Sequence, residues 1–199
     1  MKSLPRRYLM AARAEQAAAT RARVLGAAVE FLVERSFHSL TLAAVARQAG
    51  VTVRTVMRLF GDKEGLLRAA LAAERRRLHG PPSPGDIASS IAALFDDYER
   101  IGDAVVRRLA DEDEVPALHA FLESGRANHR RWVEQSFAPV LAGFAGAART
   151  EVRRALLVGT DVYLWKLLRR DLGLGRRAAE KVVRRLIDGL CAAPPRKGG

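Results

Sequence analysis

An all-α fold is what this chain predicts, and three observations carry that expectation. Ala, Leu, Val, Arg and Glu dominate its runs, while stretches of Thr, Ile or Tyr are few, a balance that favours helix over strand. Apolar residues recur at helical spacing, and no alternation of period two is long enough to form a sheet. The chain of 199 residues is 49% hydrophobic but only 6% aromatic, enough for a real core within one or two small domains.

The elements follow in order. Residues 1–19 read as a basic, Ala-rich arm with Arg6, Arg7 and Arg13, either a solvated tail or a segment lying against DNA phosphates or in the minor groove. Residues 20–36 read as the first firm helix, with Thr20 as N-cap and Val24, Leu25, Ala28, Phe31 and Leu32 on its apolar face. Phe37 and Leu40 make an apolar corner. Thr41 then caps a short helix to Ala49, and Thr52 caps another to Phe60. Val53, Val56, Leu59 and Phe60 are available to bury on the latter. Gly50-Val51 lies between the two. Two short helices joined by a tight turn containing Gly have the form of a helix-turn-helix, which lays its second helix in the DNA major groove.

If Val45, Ala46, Ala49, Val51, Val56 and Phe60 face inward, then Thr52, Arg54, Thr55 and Arg58 project outward. The planar fork of Arg54 matches the two acceptors of guanine. Thr52 and Thr55 suit a phosphate or a thymine methyl, and Arg58 suits a phosphate. Thr41, at a helix start, suits an anion as well as a cap. Gly61 ends the second helix, Asp62 caps the next to about Arg77, and Lys63 stands in its first turn, where a cation opposes the helix dipole unless an anion is near.

Three Pro and two Gly between His79 and Gly85 break the helical pattern and mark a domain boundary. The N-terminal domain is thus 20–79 and the second 86–193. Asp86 caps a helix striped by Ile87, Ile91, Leu94, Phe95 and Tyr98; Ala104–Leu109 reads as a short separate piece. Pro116 opens a helix reaching about Pro139. Thr150–Leu172 reads as one helix of about 33 Å, turned by Gly173 and Gly175 into a last helix to Ala193. Two such helices from each of two subunits can form a four-helix dimer bundle, with Gly159 permitting close approach.

The net charge is +12, and its distribution is uneven. Residues 1–80 hold 15 Lys and Arg against 6 Asp and Glu; the other 119 hold 19 against 16. The excess sits with the helix-turn-helix, as binding to a polyanion requires. Cys191 is the one cysteine, so no intrachain disulfide is possible. With no apolar run near 18 residues and no signal-peptide core, a cytoplasmic protein without a membrane span is expected. No nucleophile elbow, zinc-protease helix, P-loop or dinucleotide fingerprint occurs, so an enzyme is not expected. His and Cys at ligand spacing are missing, so no metal or cofactor is expected. His119 and His129 read as surface residues.

The stretch Thr20–Leu71 resembles the DNA-binding domain of the TetR family of transcriptional regulators. The residues that carry this are Phe31-Leu32, Phe37, Thr41, Val45-Ala46, Ala49-Gly50-Val51-Thr52, Thr55, Phe60, and Lys63-Glu64 with Leu66-Leu67. The chain departs from the family pattern at Arg54, where Gly is usual, at Val56-Met57 and Leu59, where Leu-Tyr and an aromatic or His are usual, and at Ser36. Contact with DNA therefore falls to Thr41, Thr52, Arg54, Thr55, Arg58 and Lys63. The resemblance implies a double-stranded DNA operator, a homodimer built on the terminal helices (Leu156, Gly159, Tyr163, Val183 and Ile187), and a small apolar effector. Phe95, Tyr98, Phe121, Trp132 and Trp165 are the expected walls of its pocket. The expected role is a repressor released from a palindromic operator; effector-independent or architectural DNA binding, activation, and a helical module for another polyanion are the alternatives.

Overall fold

A computed structural model describes residues 6–75 and 84–192. The helices are α1 (Arg6–Glu34), α2 (Leu42–Ala49), α3 (Val53–Phe60), α4 (Lys63–Arg75), α5 (Ile87–Ala110), α6 (Pro116–Ser136), α7 (Ala138–Ala142), α8 (Gly146–Gly159), α9 (Val162–Lys166) and α10 (Arg176–Ala192). A 3₁₀ turn, Phe37–Ser39, precedes α2, and a π-helical segment, Leu167–Asp171, continues α9. No strand occurs among the described residues, so the protein is all-α. The chain divides into two compact units, Met1–Arg77 and Leu78–Gly199. Met1–Pro5, the region expected to separate the domains, and the last turn expected at Ala193 lie wholly or partly outside the described residues.

The first helix is longer than its apolar pattern indicates. Thr20 is not an N-cap: it lies inside α1, where its hydroxyl donates to the Gln16 carbonyl at 2.8 Å. Residues 6–19 are therefore helix and not a loose arm. Ala is the best helix former, and its density over 11–19 lets α1 extend without a buried face. Among its described side chains the buried ones lie in the C-terminal half, Val24, Ala27, Ala28, Phe31 and Leu32 among them. Against it lie Val45, Ala46 and Ala49 of α2 and Leu66, Leu67, Ala70 and Leu71 of α4, all buried.

In the second unit α5 runs unbroken through 104–109, because Ala104 and Ile101 are buried and hold it against its neighbours. Asp86 caps it, accepting from the Ser89 amide at 2.9 Å. The helix opened by Pro116 ends at Ser136; Phe137 leads into α7, whose first turn holds Pro139. The single long helix expected over 150–172 does not form. Thr160 ends α8, and Asp161 restarts the helix by accepting from the Tyr163 amide at 2.9 Å. Thr160 is buried, with its hydroxyl on the Leu156 carbonyl at 2.7 Å.

The core of this unit gathers Leu94, Phe95, Trp132, Phe137, Leu156, Trp165, Val183 and Ile187. Trp165 seats its ring on α5 where Gly102 has no side chain; a Cβ there would lie 2.5 Å from the ring. Three carboxylates along α5 hold the end of the domain in place: Asp96 binds Arg176, Glu99 binds Arg169, and Asp103 binds Arg170. The Arg169 guanidinium keeps the Glu99 carboxyl below the usual carboxylate range, as Arg170 does for Asp103. Among the described residues no helix is long and apolar enough to cross a membrane.

Candidate nucleic-acid interface

The helices α2 and α3 are each closed by a threonine at the start and a glycine at the end, and these closures place the outward face. Thr41, extended at φ −126° and ψ 148°, accepts from the Ala44 amide at 3.1 Å. Gly50 stands at φ 64°, where its amide reaches back to Ala46 and Arg47, and the Val51 amide bonds the Ala46 carbonyl at 2.9 Å. That left-handed position favours Gly. Thr52 then accepts from the Thr55 amide at 3.2 Å, and the two hydroxyls lie 3.0 Å apart.

With Val56 wholly buried, α3 turns Thr52, Arg54, Met57 and Arg58 to solvent, while Thr55 is half-buried. Val53, expected to help bury this helix, is 39% exposed. It is the first residue of α3, and the inward contacts of this helix come later, at the buried Val56 and the half-buried Leu59 and Phe60. Arg21 of α1 lies over the Phe60 ring at 4.8 Å and ties the end of α3 to α1. Gln48 of α2 donates to Glu30 of α1 at 3.0 Å.

The joint from α3 to α4 is tight. Gly61 at φ 81° donates to the Met57 carbonyl at 2.8 Å, and Asp62 accepts from the Gly65 amide at 2.7 Å. Lys63 has a partner within the protein: its Nζ stands 4.1 Å from the centre of the Phe37 ring. The electron-rich ring face offsets the unfavourable position of a cation at a helix start. Sequence reasoning missed Gly65. A Cβ there would lie 2.1 Å from the Phe60 carbonyl oxygen, and a glycine inside a first helical turn was the available signal.

Thr41, Thr52, Arg54, Thr55, Arg58 and Lys63 thus all belong to α2, α3 and the start of α4 or their caps. The residues expected to bind an effector have other surroundings. Phe95, Phe121, Trp132 and Trp165 are buried. Tyr98 donates its hydroxyl to the Thr160 carbonyl at 3.0 Å and tilts against Trp165 at 6.0 Å; burial pushes its pKa up. Phe121 carries the Arg108 guanidinium at 5.3 Å. The crevice shared by Phe95, Tyr98 and Trp165 has no room for a water-sized sphere. His129 is not a plain surface residue: it stacks on Trp132 and hydrogen-bonds the Thr160 hydroxyl at 2.9 Å.

The residues expected at a dimer face need correction. Leu156, Val183 and Ile187 are 2% exposed or less, inside the subunit's own core. Gly159 is buried as well, with no atom within 4 Å of a Cβ placed on it. Tyr163 alone of the five is exposed. The apolar stripes of α8 and α10 are used up against α5, α6 and each other, and the large apolar side chains left exposed in this stretch are Val158, Tyr163, Leu167, Leu172 and Leu186. Among the described residues no group of three or more His, Cys, Asp or Glu is placed to hold a metal ion.

Comparison with known proteins agrees with this geometry. Residues 24–70 match the model of the family "Bacterial regulatory proteins, tetR family". Over 89 residues the chain is 33% identical to the HTH-type transcriptional regulator BetI of Burkholderia cenocepacia strain HI2424, covering 40% of this chain and 46% of that protein. BetI of Burkholderia mallei strain NCTC 10229 matches to the same extent. The chain therefore aligns with less than half the length of these relatives. In fold, it is similar to a Pseudomonas aeruginosa PAO1 protein assigned as a transcriptional regulator, with a TM-score of 0.65 over 89% of this chain and 92% of that one at 18% identity. A TetR transcriptional regulator from Rhodococcus sp. RHA1 gives a TM-score of 0.52 over 87% and 96% at 20% identity.

Proposed function

We propose, since the chain belongs to the TetR family of DNA-binding transcriptional regulators, that it is a dimeric repressor. It holds a palindromic operator and is released from it by a small apolar compound. The observation that carries the DNA part is the outward face of α3: Arg54 and Arg58 are exposed beside the Thr52 cap, over a buried Val56. Arg54 reads a guanine edge, Arg58 and Thr52 hold phosphates, Thr41 does so from the start of α2, and Lys63 does so from the start of α4.

The test is selection of bound sequences from a random DNA pool, followed by variants on the selected site. Arg54→Ala is expected to cost about 1–3 kcal/mol on that site and to relax the preference at one base pair. Lys63→Ala is expected to weaken binding to every sequence alike. Equal losses from both variants on random DNA would remove Arg54 from base reading.

Dimerisation is proposed on the outer face of α8, α9 and α10. Two recognition helices must meet half-sites about 34 Å apart, and Val158 and Tyr163 are exposed there at 70% and 56%. A second copy of the chain is the natural cover for such residues. Val158→Asp is expected to give a folded monomer by sedimentation, with operator binding reduced at least tenfold. A dimer of unchanged affinity would place the interface elsewhere.

Release by an effector is supported by family membership and by the polar contacts of Tyr98 and His129 with Thr160, where the helix breaks. A compound favouring an opened form of this region would shift the population away from operator-competent spacing. The filled core favours a second reading, a regulator that works without effector. Screening small apolar compounds for release of the selected operator separates the two.

A further inference from the structure

The N-terminal half of α1 makes a surface that the helix-turn-helix does not need. Its described residues from Met10 to Ala19 are exposed, and none belongs to the core. Arg13, Gln16, Thr20 and Arg23 recur at intervals of three or four and so share one face. That face and α3 border an open groove of about 500 Å³, lined by Arg13, Gln16 and Arg23 from α1, by Thr55 and Arg58 from α3 and by its cap Thr52. Three lining residues are cationic and none is acidic. Among the described residues, the ion pair of Arg68 with Glu64 lies elsewhere, on α4.

We infer that this groove holds the sugar–phosphate backbone of the duplex whose major groove α3 reads. The inference rests on the proposed DNA-binding role of α3 and extends it. The groove is continuous with that interface because Thr52, Thr55 and Arg58 belong to both. Its chemistry is that of a phosphodiester: guanidinium groups for the charge, hydroxyl and amide groups for hydrogen bonds, and no carboxylate to repel an anion. Arg13 and Arg23 are ten residues apart, about 15 Å along the helix axis. Duplex DNA presents a charge for roughly every 1.7 Å of its axis, so both reach phosphates at once. The Ala-rich start of α1 is then a rigid rod that carries Arg13 to the backbone beside the half-site, where a loose arm would lose conformational entropy on binding.

The experiment is a salt titration of binding, from 50 to 200 mM, with the full-length protein. The duplexes are the selected operator and a random sequence of equal length. Wild type is compared with Arg13→Ala/Arg23→Ala and with Arg54→Ala. Ala is the stronger helix former, so the double variant keeps α1, which circular dichroism verifies. Each lost phosphate contact lowers the slope of log K against log salt by about 0.9. The double variant is expected to lose about two units of slope on both duplexes, with affinity down roughly tenfold per Arg near 0.1 M salt. An unchanged slope, in a protein whose operator specificity still depends on Arg54, overturns the groove and leaves the recognition face standing. A loss confined to the operator likewise overturns it, since phosphates carry no sequence. Wild-type binding without salt dependence overturns both readings.

Discussion

Gly65→Ala is expected to lower the melting temperature of the protein by roughly 8–16 °C and to weaken operator binding at least tenfold. The added methyl would meet the Phe60 carbonyl oxygen at 2.1 Å, and that oxygen belongs to backbone, which cannot rotate aside as a side chain does. Overpacking of this kind costs roughly 3 kcal/mol, and Ala returns about 1 kcal/mol over Gly in a helix. The net loss is about 2 kcal/mol, and each kcal/mol moves the midpoint of a unit this size by about 4–8 °C. Binding suffers because relief of the clash moves α3 away from α4, parting Arg58 from Lys63. Calorimetry and operator binding check both parts. A variant within two degrees of wild type with unchanged affinity would mean that the α3–α4 joint yields freely.

Trp165→Ala is expected to cost about 3–5 kcal/mol, the range for a buried aromatic truncated to a methyl. That is a large share of the stability of any domain. Its ring is 1% exposed, sits on Gly102, lies 4.6 Å under the Arg170 guanidinium and donates through Nε1 to Glu99 at 3.2 Å. Truncation therefore opens a cavity and also strips a hydrogen bond from Glu99. Denaturant unfolding checks it: the midpoint falls with little change of slope. Were Trp165 instead the wall of an open pocket, the variant would keep its stability and lose only its response to an effector. Gly102→Ala separates the same alternatives from the other side, since a methyl there collides with the packed ring and not with empty space.

Much of the candidate interface was legible in the residues because its signals are local. Thr41 and Thr52 form their caps within three residues, and Gly50 takes the left-handed conformation that its place between two helices calls for. The inward set Val45, Ala46, Ala49 and Val56 is buried, as its helical spacing indicates. The start of α1 was misread because Thr20 looks like a cap, whereas the strength of the Ala run upstream lets the helix pass through it. The break at Thr160 was missed because the partners that meet it there, the Tyr98 hydroxyl on its carbonyl and His129 on its hydroxyl, come from other helices and lie outside what periodicity contains.

By itself, then, the amino-acid order determined the all-α class, the helix-turn-helix with its caps, the basic excess over residues 1–80 and the resemblance of the N-terminal stretch to a DNA-binding family. These follow from interactions spanning a few residues, where spacing is enough. Tertiary structure alone decided which apolar stripe of α8 and α10 faces inward, that Trp165 fills the space over Gly102, that Lys63 rests on Phe37, and that α1 and α3 border a cationic groove. Each depends on residues brought together from distant parts of the chain, and helical periodicity marks an apolar face without saying what covers it.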